Sequence, residues 1–253
     1  MASERQEHNQ DTPWWGEHIH RYQMAGNYIS GQGRVLDIAC GNGFGTHLLS
    51  SLTTDQVTGA DISEAVVKEC REKFRATPTV DFAVIDGTQM SYPDETFRLI
   101  TSFETIEHTT AYKAMLSEFY RTLEKGGIAL ISTPNILVNS PGGTVLNPFH
   151  TQEFNLDELS EILNNAFDEV QLFGQEYVRY SKSSMRNSIG LGVENLLYAR
   201  GIRKLPLSIQ NRIMRLLIGK DMYPSPSDYD LRNERDRMLK CKTFFAVCRK
   251  KNN

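Results

Sequence analysis

Two short clusters hold the residue types that bind ions and move protons. Glu104-Thr105-Ile106-Glu107-His108 is one, and His150-Thr151-Gln152-Glu153-Phe154 is the other. Carboxylates and imidazoles suit a hard or borderline divalent ion such as Mg2+ or Mn2+, which makes Glu104, Glu107, His108 and His150 candidate ligands. Glu104 and His108, four apart, share a face if a helical turn begins at Glu104. An ion held there would take up a hydroxyl and ease its deprotonation. Without an ion, His108 or His150 is the candidate general base. The plain alternatives are that Glu107 only favours a helix N-terminus and that His108 is a partly buried polar residue.

A second set surrounds glycines. The run Val35-Leu36-Asp37-Ile38-Ala39-Cys40-Gly41-Asn42-Gly43-Phe44-Gly45 reads as a strand ending in a glycine-rich turn, followed by a helical pattern over Thr46 to Leu52. Without Cβ atoms the backbone can turn tightly and approach a ligand. Asp61 closes the next strand 20 residues beyond Gly41, where a carboxylate can accept both hydroxyls of a ribose. Asp86, after the third strand, is positioned for an adenine amino group. Asp37 precedes the glycines, where it would repel a pyrophosphate but could pair with the amino group of a methionine moiety. A GxGxG run alone also fits an ordinary strand-to-helix turn. The three ordered acids favour S-adenosylmethionine over a dinucleotide. No tyrosine is followed four residues later by lysine, which counts against an NAD-dependent oxidoreductase on the same kind of sheet.

These residues need an open α/β sheet to bring them to one edge, because such sheets put ligands at the carboxyl ends of their strands. From Val35 onward apolar β-rich runs alternate with helical patterns, as in βαβ units. The spacing predicts strands over Arg34 to Ala39, Gln56 to Ala60, Val80 to Ile85, Leu99 to Phe103, Ile128 to Ser132, Glu169 to Phe173 and Thr243 to Cys248. Met115, Leu116, Phe119, Tyr120 and Leu123 share a helical face, with Gly126 and Gly127 as its stop signal. Asn155 and Glu158 read as a capping box opening a helix through Leu163. The expected fold is α/β: a Rossmann-like seven-stranded sheet with helices on both faces, an N-terminal helical lid and a helical insertion before the last strand. It is expected as a single domain over 1–253, with the lid over 1–30, a cofactor-binding core over 33–173, an acceptor-side insertion over 174–242 and the last strand over 243–248.

At 253 residues, 40% hydrophobic and 23% charged, the chain can bury one sizeable core. No apolar run approaches the roughly 20 residues of a membrane span, and MASERQEHNQD lacks the apolar stretch of a signal peptide, so a cytoplasmic protein is expected. Cys40, Cys70, Cys241 and Cys248 have no paired metal-ligand spacing and read as reduced thiols. A net charge of -3 counts against a general nucleic-acid binder.

VLDIACGNGFG, GADIS, VIDGTQM and ISTPN resemble the successive motifs of class I methyltransferases. That resemblance implies Gly41 and Gly43 at the methionine end of S-adenosylmethionine, Asp61 on the ribose, Ile62 beside the adenine, Asp86 at its amino group, and an antiparallel last strand. Core packing is the alternative for Ile62. GluXXGluHis with a later HisXXGlu-aromatic is similar to the metal site of small-RNA 3'-end 2'-O-methyltransferases, and GluXXGluHis also resembles ubiquinone-pathway O-methyltransferases. Over most of the chain except the late insertion, EHIHRYQMA, FETIEH, STPN and NPFHTQEFNLDEL resemble a bacterial group that includes mycobacterial polysaccharide O-methyltransferases and glycosyltransferase-linked methyltransferases. This implies O-methylation of a sugar-containing or polyhydroxylated small molecule. An aromatic secondary metabolite or an RNA 3' end is the alternative acceptor. The same likeness puts Arg21 and Tyr22 near the cofactor's carboxylate under the N-terminal lid; the alternative is a surface charge and a core aromatic on one helix.

Between Arg179 and Lys220 stand nine basic residues against the single acid Glu194, a local net charge of +8. Ile209, Ile213, Met214, Leu216 and Leu217 recur there at helical spacing beside Arg212 and Arg215. Such a basic amphipathic cover reads as a solvated lid, as a contact for an acceptor phosphate or carboxylate, or as a peripheral contact with an anionic membrane.

Overall fold

A computed structural model of the chain describes residues 12–29, 33–179 and 206–252. The strands are β1 (Val35–Ile38), β2 (Val57–Asp61), β3 (Val80–Val84), β4 (Phe97–Phe103), β5 (Leu123–Pro134), β6 (Glu169–Tyr177), β7 (Tyr229–Arg232) and β8 (Thr243–Arg249). They form one sheet in the order β3-β2-β1-β4-β5-β8-β6-β7. β1 pairs in parallel with both β2 and β4, and β4 pairs in parallel with β5. β8 runs antiparallel to β5 and β6. The progression reverses between β1 and β4, so the crevice of this Rossmann-like fold opens at the glycine-rich end of β1.

The helices are α1 (Trp15–Gly26), α2 (Phe44–Ser50), α3 (Glu64–Lys73), α4 (Tyr112–Thr122), α5 (Ile136–Asn139), α6 (Leu156–Ala166), α7 (Leu207–Ile218) and α8 (Arg235–Met238). α4 buries Met115, Leu116 and Phe119 on its predicted face. In α6 the side chain of Asn155 accepts from the N–H groups of Asp157 and Glu158, while the Glu158 carboxylate accepts from the N–H of Asn155. This reciprocal cap satisfies donors that a helix start leaves open. Leu156, Leu159 and Leu163 then pack into the same core as Leu36, Ile100 and Phe119. The four cysteines are free and buried.

Three expectations need correction. Among the described residues the sheet has eight strands and not seven, because β7 forms within the mixed-charge run over 228–237. Its alternating polar side chains suit a terminal strand position. Leu123 does not continue α4: it opens β5 and pairs with Phe97, and the register shifts between Phe97 and Leu99. Gly126 and Gly127 therefore lie inside a strand, where Gly126 adopts φ 71 and its N–H donates to the Lys250 carbonyl at 2.8 Å. Finally, α2 begins at Phe44, directly after Gly43 at φ 76.

The chain divides into two compact units. Among the described residues the larger comprises 21–29, 33–176 and 231–252, and the smaller comprises 12–20, 177–179 and 206–230. Every candidate ligand and cofactor residue named above lies in the larger unit. In the smaller unit, Met214 of α7 packs with Met222, and Gly16 approaches the Pro224 carbonyl so closely that a Cβ would collide with it. Much of the proposed insertion, 180–205, lies outside the described residues.

Candidate active site

The turn after β1 is left-handed at Ala39 (φ 58), Gly41 (φ 54) and Gly43 (φ 76). Its glycines have different reasons. A Cβ on Gly41 would meet nothing within 4 Å, so this residue faces open space. A Cβ on Gly43 would stand 2.9 Å from the rings of Phe74 and Phe82, and one on Gly45 would fall inside the ring of Tyr22. Gly43 and Gly45 thus clear room for aromatic packing, whereas Gly41 alone presents bare backbone to the crevice.

Asp37 is fully buried on β1. It accepts hydroxyls from Thr46 at 2.7 Å, Thr101 at 2.8 Å and Tyr22 at 3.2 Å. Burial pushes its carboxyl up to about 6, against the opposing effect of those hydroxyls. Asp61 accepts the N–H of Gly41 at 3.2 Å on one oxygen and that of Ser63 at 2.9 Å on the other, pinning the loop to the end of β2. The next residue, Ile62, is 70% exposed, which rules out core packing for it. Asp86 is exposed; it accepts from the Thr88 hydroxyl at 2.7 Å and N–H at 2.8 Å, and these bonds hold it below the usual carboxylate range.

Arg21 and Tyr22 both point inward from α1. Arg21 is fully buried, pairing with Glu104 at 2.6 Å and donating to the Ser132 hydroxyl at 3.2 Å, so it is no surface charge. Tyr22 packs edge-on against Phe44 and Phe103 with centroid separations of 5.6 and 5.0 Å.

The ligand cluster assembles at the carboxyl end of β4 without the helical turn expected at Glu104. Glu104 has φ 52, and only a single 3-10 turn, Ile106–His108, follows. A residue in the left-handed region lies outside a right-handed helical turn, so Glu104 and His108 do not share a helical face. Instead Glu104 turns to Arg21 and receives the Ser132 hydroxyl at 2.7 Å. Ligand atoms of Glu107, His108 and His150 come within 4.8 Å of one another, without Glu104. Nδ1 of His108 lies 2.9 Å from the Phe149 carbonyl and Nδ1 of His150 lies 2.8 Å from Glu153 Oε1. A carbonyl and a carboxylate can only accept, so Nδ1 of each ring is the donor, and Nε2 of His150 meets the Asn147 amide Nδ2 at 2.9 Å. Nε2 of His108 stands 3.9 Å from Glu107 Oε1, and the rings meet edge-to-face at 4.9 Å. Glu107 is fully buried; desolvation and the nearby Glu104 charge raise its carboxyl well above its ordinary value. Its Oε2 accepts the Thr133 hydroxyl at 2.9 Å, while Oε1 is buried with no hydrogen-bond partner. A buried carboxylate oxygen with no hydrogen-bond partner, grouped with two imidazole rings, fits a cation.

Residues 35–127 match the methyltransferase-domain family. The chain is 36% identical over 159 residues, 62% of its own length and 60% of the relative's, to a protein of Mycolicibacterium smegmatis named a probable S-adenosylmethionine-dependent methyltransferase. It is 31% identical over 143 residues, 55% of this chain and 53% of the relative, to a ubiquinone/menaquinone biosynthesis C-methyltransferase of Desulfotalea psychrophila. The chain therefore spans under two thirds of these relatives. A solved S-adenosylmethionine-dependent methyltransferase structure from Thermotoga maritima superposes with TM-score 0.56 at 16% identity, covering 93% of this chain and 89% of that one. The fold is that of the Rossmann-like methyltransferases.

The matched stretch, 35–127, contains Asp37, Gly41, Gly43, Asp61, Ile62, Asp86, Glu104, Glu107 and His108. His150 joins them from beyond it. Glu153 and Asn147 hold His150 on either side; Glu153 stands in the second sequence cluster and its HisXXGlu motif without an assigned role, and Asn147 had no signal beyond its place beside that cluster. The basic block also changes meaning. Arg179 is buried and donates to the carbonyls of Asp221 and Met222. Arg215 pairs with Asp221, and Lys220 with Asp228 at 3.2 Å. A charge count that stops at Lys220 omits the acids that immediately follow and bind these cations. Among the described residues no helix is long and apolar enough to cross a membrane.

Proposed function

We propose that the chain is an S-adenosylmethionine-dependent methyltransferase that acts on a hydroxyl of a sugar-containing or polyhydroxylated small molecule, with a divalent ion held by Glu107, His108 and His150. The convergence of these three donors at the carboxyl edge of β4 carries the reading. One carboxylate and two imidazoles favour Mn2+ over Mg2+, which prefers oxygen ligands. When bound, such an ion lowers the pKa of a coordinated hydroxyl and orients it.

On the donor side, Gly41 offers open backbone to the methionine end of the cofactor. Asp61 faces the ribose, exposed Ile62 lies against the adenine, and Asp86 takes the adenine amino group. Asp37 sets the strand end through Thr46, Thr101 and Tyr22, and Arg21 with Tyr22 closes the crevice from α1. In the metal-free reading His108 is the general base, which its 35% exposed side chain and the orientation of its ring by the Phe149 carbonyl support. The methyltransferase domain and the names of the relatives support methyl transfer; the oxygen acceptor rests on the imidazole-carboxylate cluster.

Recombinant protein with labelled S-adenosylmethionine, an acceptor panel of sugars, phenols and RNA 3' ends, and controlled metal tests this. Transfer to sugar hydroxyls, lost on chelation and restored better by Mn2+ than by Mg2+, is expected. Full turnover after thorough chelation would remove the ion, and transfer only to carbon or nitrogen would remove the oxygen acceptor. Salt-sensitive turnover on RNA would move the acceptor to nucleic acid.

A further inference from the structure

Glu153 is buried, yet only one of its oxygens is engaged. Oε1 lies 2.8 Å from His150 Nδ1, and Oε2 is buried with no hydrogen-bond partner. A carboxylate kept for stability would have both oxygens satisfied, since leaving a buried polar atom unpaired costs about 1–3 kcal/mol. Nor does its segment need it as an anchor. The N–H and hydroxyl of Thr151 donate to the Glu107 carbonyl at 2.8 and 2.9 Å. The Gln152 amide donates to the carbonyls of Ile106 at 3.2 Å and Thr109 at 2.8 Å, and Phe154 forms a bridge to Asn135. The segment is fastened on both sides of Glu153 by other residues.

We infer that Glu153 is a positioning residue: its carboxylate fixes the Nδ1 proton of His150 and so turns that ring into an Nε2 donor for the divalent ion. This rests on the metal reading of the site. An anionic partner on Nδ1 also strengthens the opposite nitrogen as a donor, more than the neutral Phe149 carbonyl does for His108. Nε2 of His150 meets Nδ2 of Asn147 at 2.9 Å. In the neutral tautomer set by Glu153, Asn147 donates to that lone pair and holds the ring ready for exchange onto a cation.

The test is Mn2+ binding to the full chain, read from the resonance of free Mn2+, for wild type, Glu153→Ala, Glu153→Gln and His150→Ala. S-adenosylhomocysteine affinity and melting temperature are measured in parallel. The inference expects Glu153→Ala and Glu153→Gln to weaken Mn2+ binding about 10- to 100-fold with S-adenosylhomocysteine affinity unchanged, and the melting temperature to hold in Glu153→Gln, whose amide oxygen still accepts from Nδ1. His150→Ala should abolish tight binding. If Glu153→Ala fails to fold, the isosteric Glu153→Gln carries the comparison. Wild-type affinity in the Glu153 variants together with loss in His150→Ala would overturn the positioning role and leave the metal reading standing. Wild-type affinity in His150→Ala would remove both.

Discussion

The hydroxyl of Tyr22 donates to the Asp37 carboxylate across 3.2 Å, joining α1 to the end of β1. Asp37 has no exposed surface, and burial raises it from an ordinary 3.8 to about 6. The folded chain therefore keeps this proton where the unfolded chain has lost it. That contribution to stability is complete below about pH 4 and disappears as pH rises through 6, a change of up to about 3 kcal/mol. Denaturant melts between pH 4 and 7 should give Asp37→Asn a flatter profile than wild type; parallel profiles would refute the assignment.

Gly41 and Gly45 should respond differently to alanine. At Gly41 the cost is left-handed strain, about 1–2 kcal/mol, and the added methyl enters the space open to the ligand. S-adenosylhomocysteine affinity should fall well beyond what the modest loss of melting temperature suggests. Gly45→Ala drives a methyl into Tyr22, so stability should drop by about 1–3 kcal/mol. Calorimetry and thermal melts distinguish the two patterns.

Glu104 and Arg21 form a buried pair, with the Glu104 side chain 24% exposed and the Arg21 side chain fully buried. Glu104→Gln removes the anionic partner of a fully enclosed guanidinium and should cost about 3 kcal/mol. Arg21→Met with Glu104→Gln should destabilise less than the two single changes added together. Strict additivity in a double-mutant cycle would mean that the pair carries no coupling.

Glu107 sets stability against chemistry. Its burial and its proximity to Glu104 disfavour the charged form, so Glu107→Gln is expected to leave the metal-free protein equally stable or more so. The same change should weaken Mn2+ binding and slow methyl transfer by at least about tenfold. A marked fall in melting temperature with normal Mn2+ affinity would make Glu107 a structural residue instead.

Much of the molecule could be read in advance because it depends on local pattern. The alternation of apolar strands and amphipathic helices predicts a Rossmann-like sheet, the Asn155–Glu158 spacing predicts a helix start, and the glycine turn with Asp61 marks the switch point. Leu123 misled because one apolar residue fits a helix face and a strand equally well, and its partner Phe97 is distant in sequence. The extra strand β7 lacked an apolar run because a terminal strand need not be buried on both faces.

What the residue order determined by itself is the type of fold and the stock of candidate ligands, since both follow from residue type and near-neighbour spacing. Which of them meet is a matter of distances between segments far apart in the chain. The left-handed turn at Glu104 sends that carboxylate to Arg21, and the loop from 135 to 154 brings His150 to Glu107 and His108. Only that closure brings one buried carboxylate oxygen together with two imidazole rings, because burial and hydrogen-bond competition are properties of the packed chain.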